Sequence, residues 1–454
     1  MDKEKTNTNL PTTATKTSAS DQHAYSLEES HRSINVPKGA SFLRTLLAFT
    51  GPGLLVAVGY MDPGNWATDL AGGAQFGYTL LTVITFSNII AIILQALSLK
   101  LGVVTGRDLA QACRDNFGKP VAIGLWVLAE IAISATDLAE VVGSAVAIQL
   151  LFGLPLIIGV LITALDVFLV LFLNSKGFRY IEAIVGSLIM VITLCFVAEL
   201  VFARPDWAGV LNGFFVPKAE IITNPSMLYI AIGILGATVM PHNLYLHSSI
   251  IQTRKFDLTP EGKREAIRYG TIDSTSALMG ALFINAAILV LSAATFHTTG
   301  HQDVAEIQDA YKLLAPLLGT GLASILFAVA LLASGQNSTL TGTLSGQIVM
   351  EGFLNIHVKP WVRRLITRAL AIVPAIIVIW VDGEGSATSL LVLSQVILSV
   401  QLSFAVIPLV MFTSNKKIMG EFVNPFWLKA LAWIIAIVIA ALNVYLIGTT
   451  IFPG

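Results

Sequence analysis

Apolar segments long enough to cross a membrane recur along nearly the whole chain, and short polar stretches separate them. A helix of about 20 apolar residues spans the roughly 30 Å hydrocarbon core of a bilayer. The pattern therefore predicts an all-α integral membrane protein of about eleven transmembrane helices. The predicted helices cover residues 46–75, 78–101, 120–148, 155–173, 178–202, 226–252, 266–295, 317–352, 362–381, 386–413 and 426–451.

Two of these helices, the first and the sixth, contain a break signal in the middle of the span. Residues 59–65 read GYMDPGN and residues 237–243 read ATVMPHN, so each has a proline two residues before an asparagine. Proline removes a backbone donor and clashes with the preceding turn, and unwound backbone at membrane depth persists only where it lines a cavity. Paired broken helices in equivalent positions indicate a transporter site between two inverted repeats. A proline kink that only shapes packing is the alternative.

The spacing of the two breaks, five helices apart, predicts a five-plus-five inverted repeat with one extra helix. The first 40 residues are polar and rich in Ser and Thr, which predicts a disordered cytoplasmic tail. The predicted regions are the tail at 1–40, a first repeat of helices 1–5 at 41–202, a second repeat of helices 6–10 at 203–413, and helix 11 at 414–454.

Composition agrees with this class of protein. Only 12% of the 454 residues are charged, against about 25% in soluble domains. The net charge of −1 gives no basic surface for nucleic acid, so the expected surroundings are a lipid bilayer and no nucleic-acid partner. Cys113 and Cys195 lack metal-site spacing and are expected to be buried free thiols.

The basic residues predict the orientation, because cytoplasmic loops collect Lys and Arg. Of the 27 Lys and Arg, 18 follow the even-numbered helices and six lie in the amino-terminal segment, which leaves three on the opposite side. We therefore expect a multi-pass protein of the cell membrane with a cytoplasmic amino terminus and an extracellular carboxyl terminus.

Acidic side chains, and no basic ones, lie deep inside the predicted helices. An ionisable residue within a membrane is costly and marks a substrate or ion pathway by default. Acidic side chains without basic ones inside the membrane favour a pathway for cations. These acids are Asp62, Glu130, Asp137, Glu140 and Asp166, with Asp273 near the start of a helix.

The residues at the two breaks offer a mixed set of metal ligands. Asp62 supplies a carboxylate and Asn65 an amide oxygen, while the breaks free the backbone carbonyls of Gly59 and Ala237. Met240 adds a thioether, and soft sulfur selects later transition metals whereas Mg²⁺ and Ca²⁺ bind oxygen. This set favours a divalent transition-metal ion, although a methionine in a helix is often only a gap-filler.

A second set of charged residues could carry protons through the membrane. Glu130, Asp137 and Glu140 fall on a single face of the third helix, within about 80° of one another. This acid stripe is a candidate proton route, to be paired with basic residues at the cytoplasmic ends of helices six and nine. A static network of salt bridges is the alternative. The candidate partners are Arg254, Arg363 and Arg364.

Three further residues have weaker signals. His242 follows Met240 by two residues, and its ordinary pKa near 6.5 suits proton exchange. A neutral, hydrogen-bonded histidine that shapes the break is the other interpretation. Asp166 and Gln395 are candidates for helix pairing and for an occasional metal contact, respectively.

These motifs together resemble the natural resistance-associated macrophage protein (Nramp) family of divalent metal transporters, in particular its bacterial manganese importers. The resemblance runs from about residue 46 to the end of the chain. The residues that carry it are Asp62-Pro63-Gly64-Asn65, Met240-Pro241-His242-Asn243, and the stretch from Gly335-Gln336-Asn337-Ser338-Thr339 through Gly346-Gln347 to Glu351-Gly352-Phe353.

The resemblance implies proton-coupled import of Mn²⁺ by alternating access, with Fe²⁺ and Cd²⁺ as alternates. It places the metal ligands at Asp62, Asn65 and Met240, with carbonyls at Gly59 and Ala237, and it points to the same acids and arginines for protons. The metal is then cargo and the proton a coupling ion, and no resident cofactor is expected.

Three other functions compete with this one. A sodium-coupled amino-acid symporter shares broken helices, but Asp62 would repel the substrate carboxylate. A passive cation channel calls for filter rings rather than two breaks at the midplane. A membrane enzyme lacks support because no nucleophile–base set or zinc-hydrolase spacing is present.

Overall fold

The computed structural model describes residues 25–451, except 38, 167, 169–171, 173–175, 303–305, 357–358 and 384–386. Helices make up almost all of this part of the chain. In chain order they are α1 (Phe42–Phe49), α2 (Pro52–Gly59), α3 (Pro63–Phe76), α4 (Leu81–Thr105), α5 (Leu109–Asn116), α6 (Lys119–Phe152), α7 (Leu156–Thr163), α8 (Phe178–Ala203), α9 (Trp207–Phe215), α10 (Glu220–Thr223), α11 (Pro225–Val239), α12 (Pro241–Ile250), α13 (Pro260–Ser292), α14 (Ile307–Leu318), α15 (Gly321–Leu354), α16 (Pro360–Asp382), α17 (Ala387–Thr413), α18 (Lys416–Met419) and α19 (Phe426–Ile451).

The predicted class, an all-α multi-pass membrane protein, is confirmed. Within the described residues nine helical segments are long and apolar enough to cross a membrane, or ten if the bent pair α1 and α2 counts as one span. Of the predicted helix at 155–173, α7 covers the first half, and part of the remainder lies outside the described residues. The count of eleven and the five-plus-five repeat therefore stay predictions.

Both predicted helix breaks are confirmed. One helix ends at Gly59 and the next begins at Pro63, and likewise α11 ends at Val239 and α12 begins at Pro241. Proline suits the first position of each new helix because its missing N–H would have no partner there. Asp62 caps α3, since its Oδ1 accepts a hydrogen bond of 2.8 Å from the backbone N–H of Asn65.

The start of the first predicted helix, 46–75, differs from the prediction. The chain bends by 48° between α1 and α2, and Gly51 there has a φ of 138°, which glycine adopts far more readily than other residues. The Arg254 guanidinium donates hydrogen bonds to the carbonyls of Ala48 at 3.2 Å and Thr50 at 2.7 Å. These bonds satisfy carbonyls at the end of α1 that lack partners within the helix.

The polar second half of α15 lies in the middle of the protein, packed against α6. Gly335 and Gly342 are two turns apart on one face of α15, and added Cβ atoms there would collide with the side chains of Ser144 and Glu140. Small residues allow helix backbones in membranes to approach closely. This close contact holds the acid stripe of α6 against the centre of the molecule.

The prediction of a disordered tail up to residue 40 is wrong for its described part. Residues 25–37, which we call the N-terminal strap, pack on the protein, and residues 1–24 lie outside the described part. Strand β1 (Ile34–Asn35) pairs in parallel with strand β2 (Arg254–Lys255), which follows α12. The strap also buries the side chains of Leu27 and Ile34. Two apolar anchors and a paired backbone order this segment despite its polar composition.

Candidate metal site

The two broken helices bring the predicted oxygen ligands to one point. The side-chain nitrogen of Asn65 lies 2.7 Å from Oδ1 of Asp62, 3.2 Å from the carbonyl oxygen of Gly59 and 3.1 Å from that of Ala237. These three acceptor oxygens come from both broken segments. Asp62 and Asn65 are 0% and 1% exposed, so the point of convergence is shielded from solvent.

The thioether of Met240 borders the same cluster. A Cβ atom added to Gly59 would lie 3.0 Å from Sδ of Met240 and would collide with the Asn243 side-chain amide. The absence of a side chain at residue 59 therefore leaves room for both groups at the end of α2. Met240 is fully buried, and its sulfur stands beside the Gly59 end of the oxygen cluster.

Gln395 reaches the site from α17. A Cβ atom added to Gly64 would overlap the Gln395 amide, so this side chain lies directly against the first turn of α3. Oε1 of Gln395 and Oδ2 of Asp62 are both buried, and within the described part of the chain neither has a hydrogen-bond partner. Buried acceptors without donors are uncommon in proteins. A cation coordinated by either oxygen would supply a partner that the described protein atoms do not.

The candidate site contains a single formal charge. Among the described residues no group of three or more His, Cys, Asp or Glu side chains is arranged to hold a metal ion. The site combines one carboxylate with amide, carbonyl and thioether groups, in contrast to the several carboxylates of tight Ca²⁺ sites. Such a set fits an ion that binds and is then released.

A vestibule of about 520 Å³ approaches the site between α3, α11 and α17. Its lining includes Thr68, Gln75, Tyr229 and Glu306. The Thr68 hydroxyl donates a 3.0 Å hydrogen bond to the carbonyl of Asn65, so the vestibule ends within one turn of the oxygen cluster. It opens on the face opposite to the N-terminal strap. The 33-residue helix α13 begins shortly after Phe256, which Arg32 of the strap contacts, and just beyond its other end Nδ1 of His297 lies 3.0 Å from the carbonyl oxygen of Ala74 on α3.

The acid stripe is paired with two of the three arginines predicted for it. Glu130 lies 2.9 Å from Arg363, Asp137 lies 2.5 Å from Arg364, and Glu140 lies 3.2 Å from Arg364. Asp137, Glu140 and Arg364 are almost completely buried, whereas the Glu130 side chain is partly exposed. The stripe is therefore a line of ion pairs from the interior towards the surface.

Arg254, the third predicted partner, contacts a different part of the protein. Its guanidinium forms an ion pair of 2.6 Å with Glu182 on α8. It also donates the hydrogen bonds described above to the carbonyls at the end of α1. The sequence indicated on which side of the membrane Arg254 lies and at what depth, but not which helix would pack against it. The prediction that it pairs with the acid stripe is wrong.

Arg368 belongs to the buried network and was missed as a candidate. It pairs with Asp166 and donates a 2.8 Å hydrogen bond to the Thr339 hydroxyl on α15. Arg368 is one helical turn after Arg364, so the i, i+4 spacing on α16 was the signal that could have revealed it. The predicted role of Asp166 in helix pairing is confirmed.

His242 lies between the oxygen cluster and the acid stripe. It occupies the first turn of α12, two residues after Met240, and is buried. Its Nδ1 is 3.4 Å from the hydroxyl of Thr136, the residue before Asp137 on α6. The structure thus brings His242 towards the predicted proton route.

These features define a class of protein. A buried cluster of oxygen ligands and one sulfur, formed at two broken helices of a multi-pass membrane protein and approached by a vestibule, is typical of secondary transporters. The family model described as natural resistance-associated macrophage protein-like matches residues 53–449. The chain belongs to this family.

Relatives with known names support the assignment. The divalent metal cation transporter MntH of Nostoc sp. is 67% identical over 422 residues, which cover 93% of this chain and 95% of that protein. The MntH protein of Listeria welshimeri is 66% identical over 430 residues, covering 95% and 96%. These relatives are named as transporters, a non-enzymatic class, which agrees with the prediction that the chain is not an enzyme.

Solved structures agree with the fold. The manganese transporter of Eremococcus coleocola, solved in complex with an aromatic bis-isothiourea substituted compound, matches with a TM-score of 0.88 and 42% identity, over 94% of this chain and 91% of that one. The nucleobase-cation-symport-1 family transporter MHP1 matches with a TM-score of 0.59 at 14% identity and shares the fold alone.

Proposed function

We propose that this protein imports divalent transition-metal ions, chiefly Mn²⁺ with Fe²⁺ and Cd²⁺ as further substrates, in symport with protons and by alternating access. The observation that carries the proposal is the convergence of oxygens from Asp62, Gly59 and Ala237 on one buried point beside Met240. The names of the relatives, a divalent metal cation transporter and a manganese transporter, support it.

Metal binding requires a rearrangement of Asn65. In the structure its amide nitrogen, a donor, stands where the three acceptor oxygens converge. A cation needs an oxygen there, so the amide rotates by 180° and turns its Oδ1 inwards. The nitrogen then faces Asn285, which now donates to Oδ1 of Asn65 at 3.4 Å and has an unpartnered Oδ1 of its own in the described part. Rotation of both amides restores the hydrogen bond with its direction reversed.

The thioether of Met240 sets the selectivity in this proposal. Mg²⁺ holds its water tightly and prefers six oxygens, and Ca²⁺ takes six to eight oxygens. A sulfur ligand lowers the affinity of the site for both of these ions relative to Mn²⁺, Fe²⁺ and Cd²⁺. Gln395, which already lies against the first turn of α3, adds an oxygen from α17.

Protons are coupled to the metal through competition for Asp62. Metal ligands must be deprotonated, so a divalent ion and a proton exclude each other on this carboxylate. The released proton passes by way of His242 to Asp137 and Glu140, and from there to Glu130 at the partly exposed end of the stripe. Arg363 and Arg364 hold these carboxylates in place through ion pairs.

Access from the two sides follows from the geometry of the broken helices. The vestibule at α3 and α11 gives access from the outside, and release on the other side requires α2 and α12 to move. The orientation, with a cytoplasmic amino terminus and an extracellular carboxyl terminus, rests on the distribution of Lys and Arg.

The experiment that tests the proposal measures Mn²⁺ uptake, internal pH and Mn²⁺ binding with purified protein in proteoliposomes. Wild type is expected to acidify the lumen as Mn²⁺ enters. Asp62→Asn is expected to lose Mn²⁺ binding at least a hundredfold, because Asp62 supplies the only formal charge among the ligands.

A matched control is Asp69→Asn, the same change on the same helix at another buried aspartate that is outside the oxygen cluster. It is expected to retain Mn²⁺ binding. Equal loss in both variants would mean that α3 has been disrupted rather than a ligand removed. Uptake without any change of internal pH would contradict the coupling.

A further inference from the structure

A groove of about 610 Å³ lies between α4, α13 and α19, and none of its lining belongs to the metal site or to the acid stripe. Most of its wall is apolar, and its three basic side chains come from α4 and α13. The apolar part is formed by Ile92, Ile93, Leu97, Ile267, Leu428 and Leu431.

The three basic side chains lie at one end of the groove, and two of them have partners there. Nζ of Lys100 donates a 2.9 Å hydrogen bond to the Asn424 side chain. Arg264 pairs with Glu421, the single acidic residue of the lining. Arg268 is exposed and has no carboxylate partner among the described residues. The lining therefore carries three positive charges against one negative charge.

Trp427 marks the depth of this end of the groove. It is 65% exposed and stands at the beginning of α19, beside the basic side chains. Tryptophan is enriched at the level of lipid headgroups in membrane proteins. The basic end of the groove therefore lies at the headgroup level, and the apolar wall extends from it along the acyl chains.

We propose that this groove binds one anionic phospholipid of the phosphatidylglycerol class. The phosphate sits between Lys100 and Arg268, and an acyl chain lies along the apolar walls of α4 and α19. Basic pockets between transmembrane helices are suited to anionic headgroups, and the apolar wall is suited to a lipid rather than to a free phosphate.

The test titrates full-length protein in detergent micelles with dioleoyl-phosphatidylglycerol or dioleoyl-phosphatidylcholine and follows the melting temperature. Phosphatidylglycerol is expected to raise the melting temperature, with at least tenfold higher apparent affinity than phosphatidylcholine. The double variant Lys100→Gln/Arg268→Gln is expected to lose this preference.

Lys416→Gln/Lys417→Gln is the control, because it removes the same charge from α18, outside the groove. It is expected to keep the preference. Equal weakening in the two double variants would mean general attraction to a basic surface, and an equal shift with inorganic phosphate would mean an anion site rather than a lipid site. Either result overturns the proposal, as does an unchanged preference in the first variant.

A different observation, the N-terminal strap, carries a second inference. At one end the strap pairs with β2, and the backbone N–H of Arg32 donates to the carbonyl of Gln252 at 2.9 Å. At the other end the N–H of Leu27 donates to the buried carboxylate of Glu351 on α15 at 3.0 Å. The strap thus joins the end of α12 to the end of α15.

The strap is also conformationally strained. Leu27 and Arg32 have φ angles of 56° and 51°, in the left-handed region that residues other than glycine rarely adopt. Such angles persist only while surrounding contacts hold them. The Arg32 side chain supplies one such contact, a 2.7 Å hydrogen bond to the carbonyl of Phe256.

The position of the strap points to a role in gating. All of α12, Pro241–Ile250, is buried, so release of metal on this side requires α12 to separate from α15. We infer that the strap acts as a latch between α12 and α15. It keeps the strap side of the protein closed and detaches when that side opens. This inference rests on the proposed alternating access.

The test introduces Ser249→Cys on α12 into a Cys113→Ala/Cys195→Ala background and measures its labelling from the strap side. Deleting residues 25–37 is expected to raise the labelling rate at least fivefold, whereas deleting residues 2–24 leaves it unchanged. Arg32→Ala, which retains the strap backbone, is expected to give an intermediate rate and guards against misfolding of the deletion.

Mn²⁺ binding is measured on the same variants. Unchanged labelling in both the deletion and Arg32→Ala would overturn the latch, whatever the binding result. Loss of Mn²⁺ binding in the parent protein would instead contradict the proposed function, so the two failures are distinguishable.

Discussion

At the level of single residues, the candidate metal site combines one carboxylate with several neutral groups. Asp62 is completely buried, and its Oδ1 already accepts two hydrogen bonds from Asn65. A buried charge is costly unless it is paired or hydrogen-bonded. The two hydrogen bonds from Asn65 offset part of the cost of burying the Asp62 carboxylate.

Selectivity is tested by Met240→Ala. We expect this variant to keep much of its Mn²⁺ transport and to admit Ca²⁺, because the site then offers only oxygen atoms and water. Uptake of Mn²⁺ and Ca²⁺ is measured in the same proteoliposome preparation. If the variant excludes Ca²⁺ as well as wild type does, the thioether only fills space.

The separate proton route is tested by Asp137→Asn. Asp137 pairs with Arg364 and is not among the residues of the oxygen cluster. We expect metal-linked proton flux to fall about tenfold or more while Mn²⁺ affinity changes less than threefold. Glu182→Gln is the control, because Glu182 is also a buried acid paired with an arginine, but away from the stripe.

Internal pH and Mn²⁺ binding isotherms are recorded on both variants. Glu182→Gln is expected to lower thermal stability and to leave the ratio of proton flux to metal uptake unchanged. Parallel losses of affinity and proton flux in Asp137→Asn would favour the static salt-bridge network and contradict a separate proton route.

At the level of helices and loops, the breaks follow from local sequence, whereas the pairing of helices depends on small residues. Gly335 and Gly342 let α15 approach Ser144 and Glu140 on α6. A larger residue at either glycine would push the acid stripe away from α15. The Gln336–Gln347 segment is polar because it lines the interior of the protein and does not face lipid.

The loop before α5 offers a pH-dependent contribution to stability. Burial raises the pKa of Asp108 to about 6, although the hydrogen bond from the Gln111 N–H favours the charged form. The folded protein therefore binds this proton more tightly than the unfolded chain. The contribution of this proton to the free energy of unfolding is fully present below about pH 3.8, the ordinary pKa of the carboxyl group. It is lost as the pH rises through about 6, the pKa in the folded protein.

Asp108→Asn should therefore flatten the fall in melting temperature between about pH 4 and pH 7, since asparagine also caps helices and carries no charge. Thermal unfolding of both proteins across this range measures the effect. Asp115→Asn, at an exposed acid on the same helix, serves as the control and should follow wild type. An undiminished slope in Asp108→Asn would contradict the assignment.

At the level of the whole molecule, the proposed orientation makes a direct prediction. In a background without native cysteines, Glu220→Cys should react with a membrane-impermeant maleimide on intact cells. Lys417→Cys should react only after the membrane is permeabilised. Both side chains are exposed and lie on opposite predicted sides of the membrane. The reverse labelling pattern would contradict a cytoplasmic amino terminus.

The class of protein, both helix breaks and the chemical types at the candidate site could all be predicted from the sequence. Each of these depends on a local property. Apolar runs have the length of a bilayer, proline lacks a backbone donor, and a thioether beside a carboxylate is read directly from Met240 and Asp62. All five candidate site residues lie within four positions of Pro63 or Pro241 in the chain, so local sequence is enough to point to them.

Which residues far apart in the chain come into contact is visible only in the folded protein. The fold paired Arg254 with Glu182, brought Arg368 into the buried network with Asp166, and laid the N-terminal strap against α12 and α15. The periodicity of a helix specifies which side chains share a face, but not which neighbouring helix that face will contact. Partners far apart in sequence are selected by the packing of all helices together, where small residues, break points and buried charges must be satisfied at once.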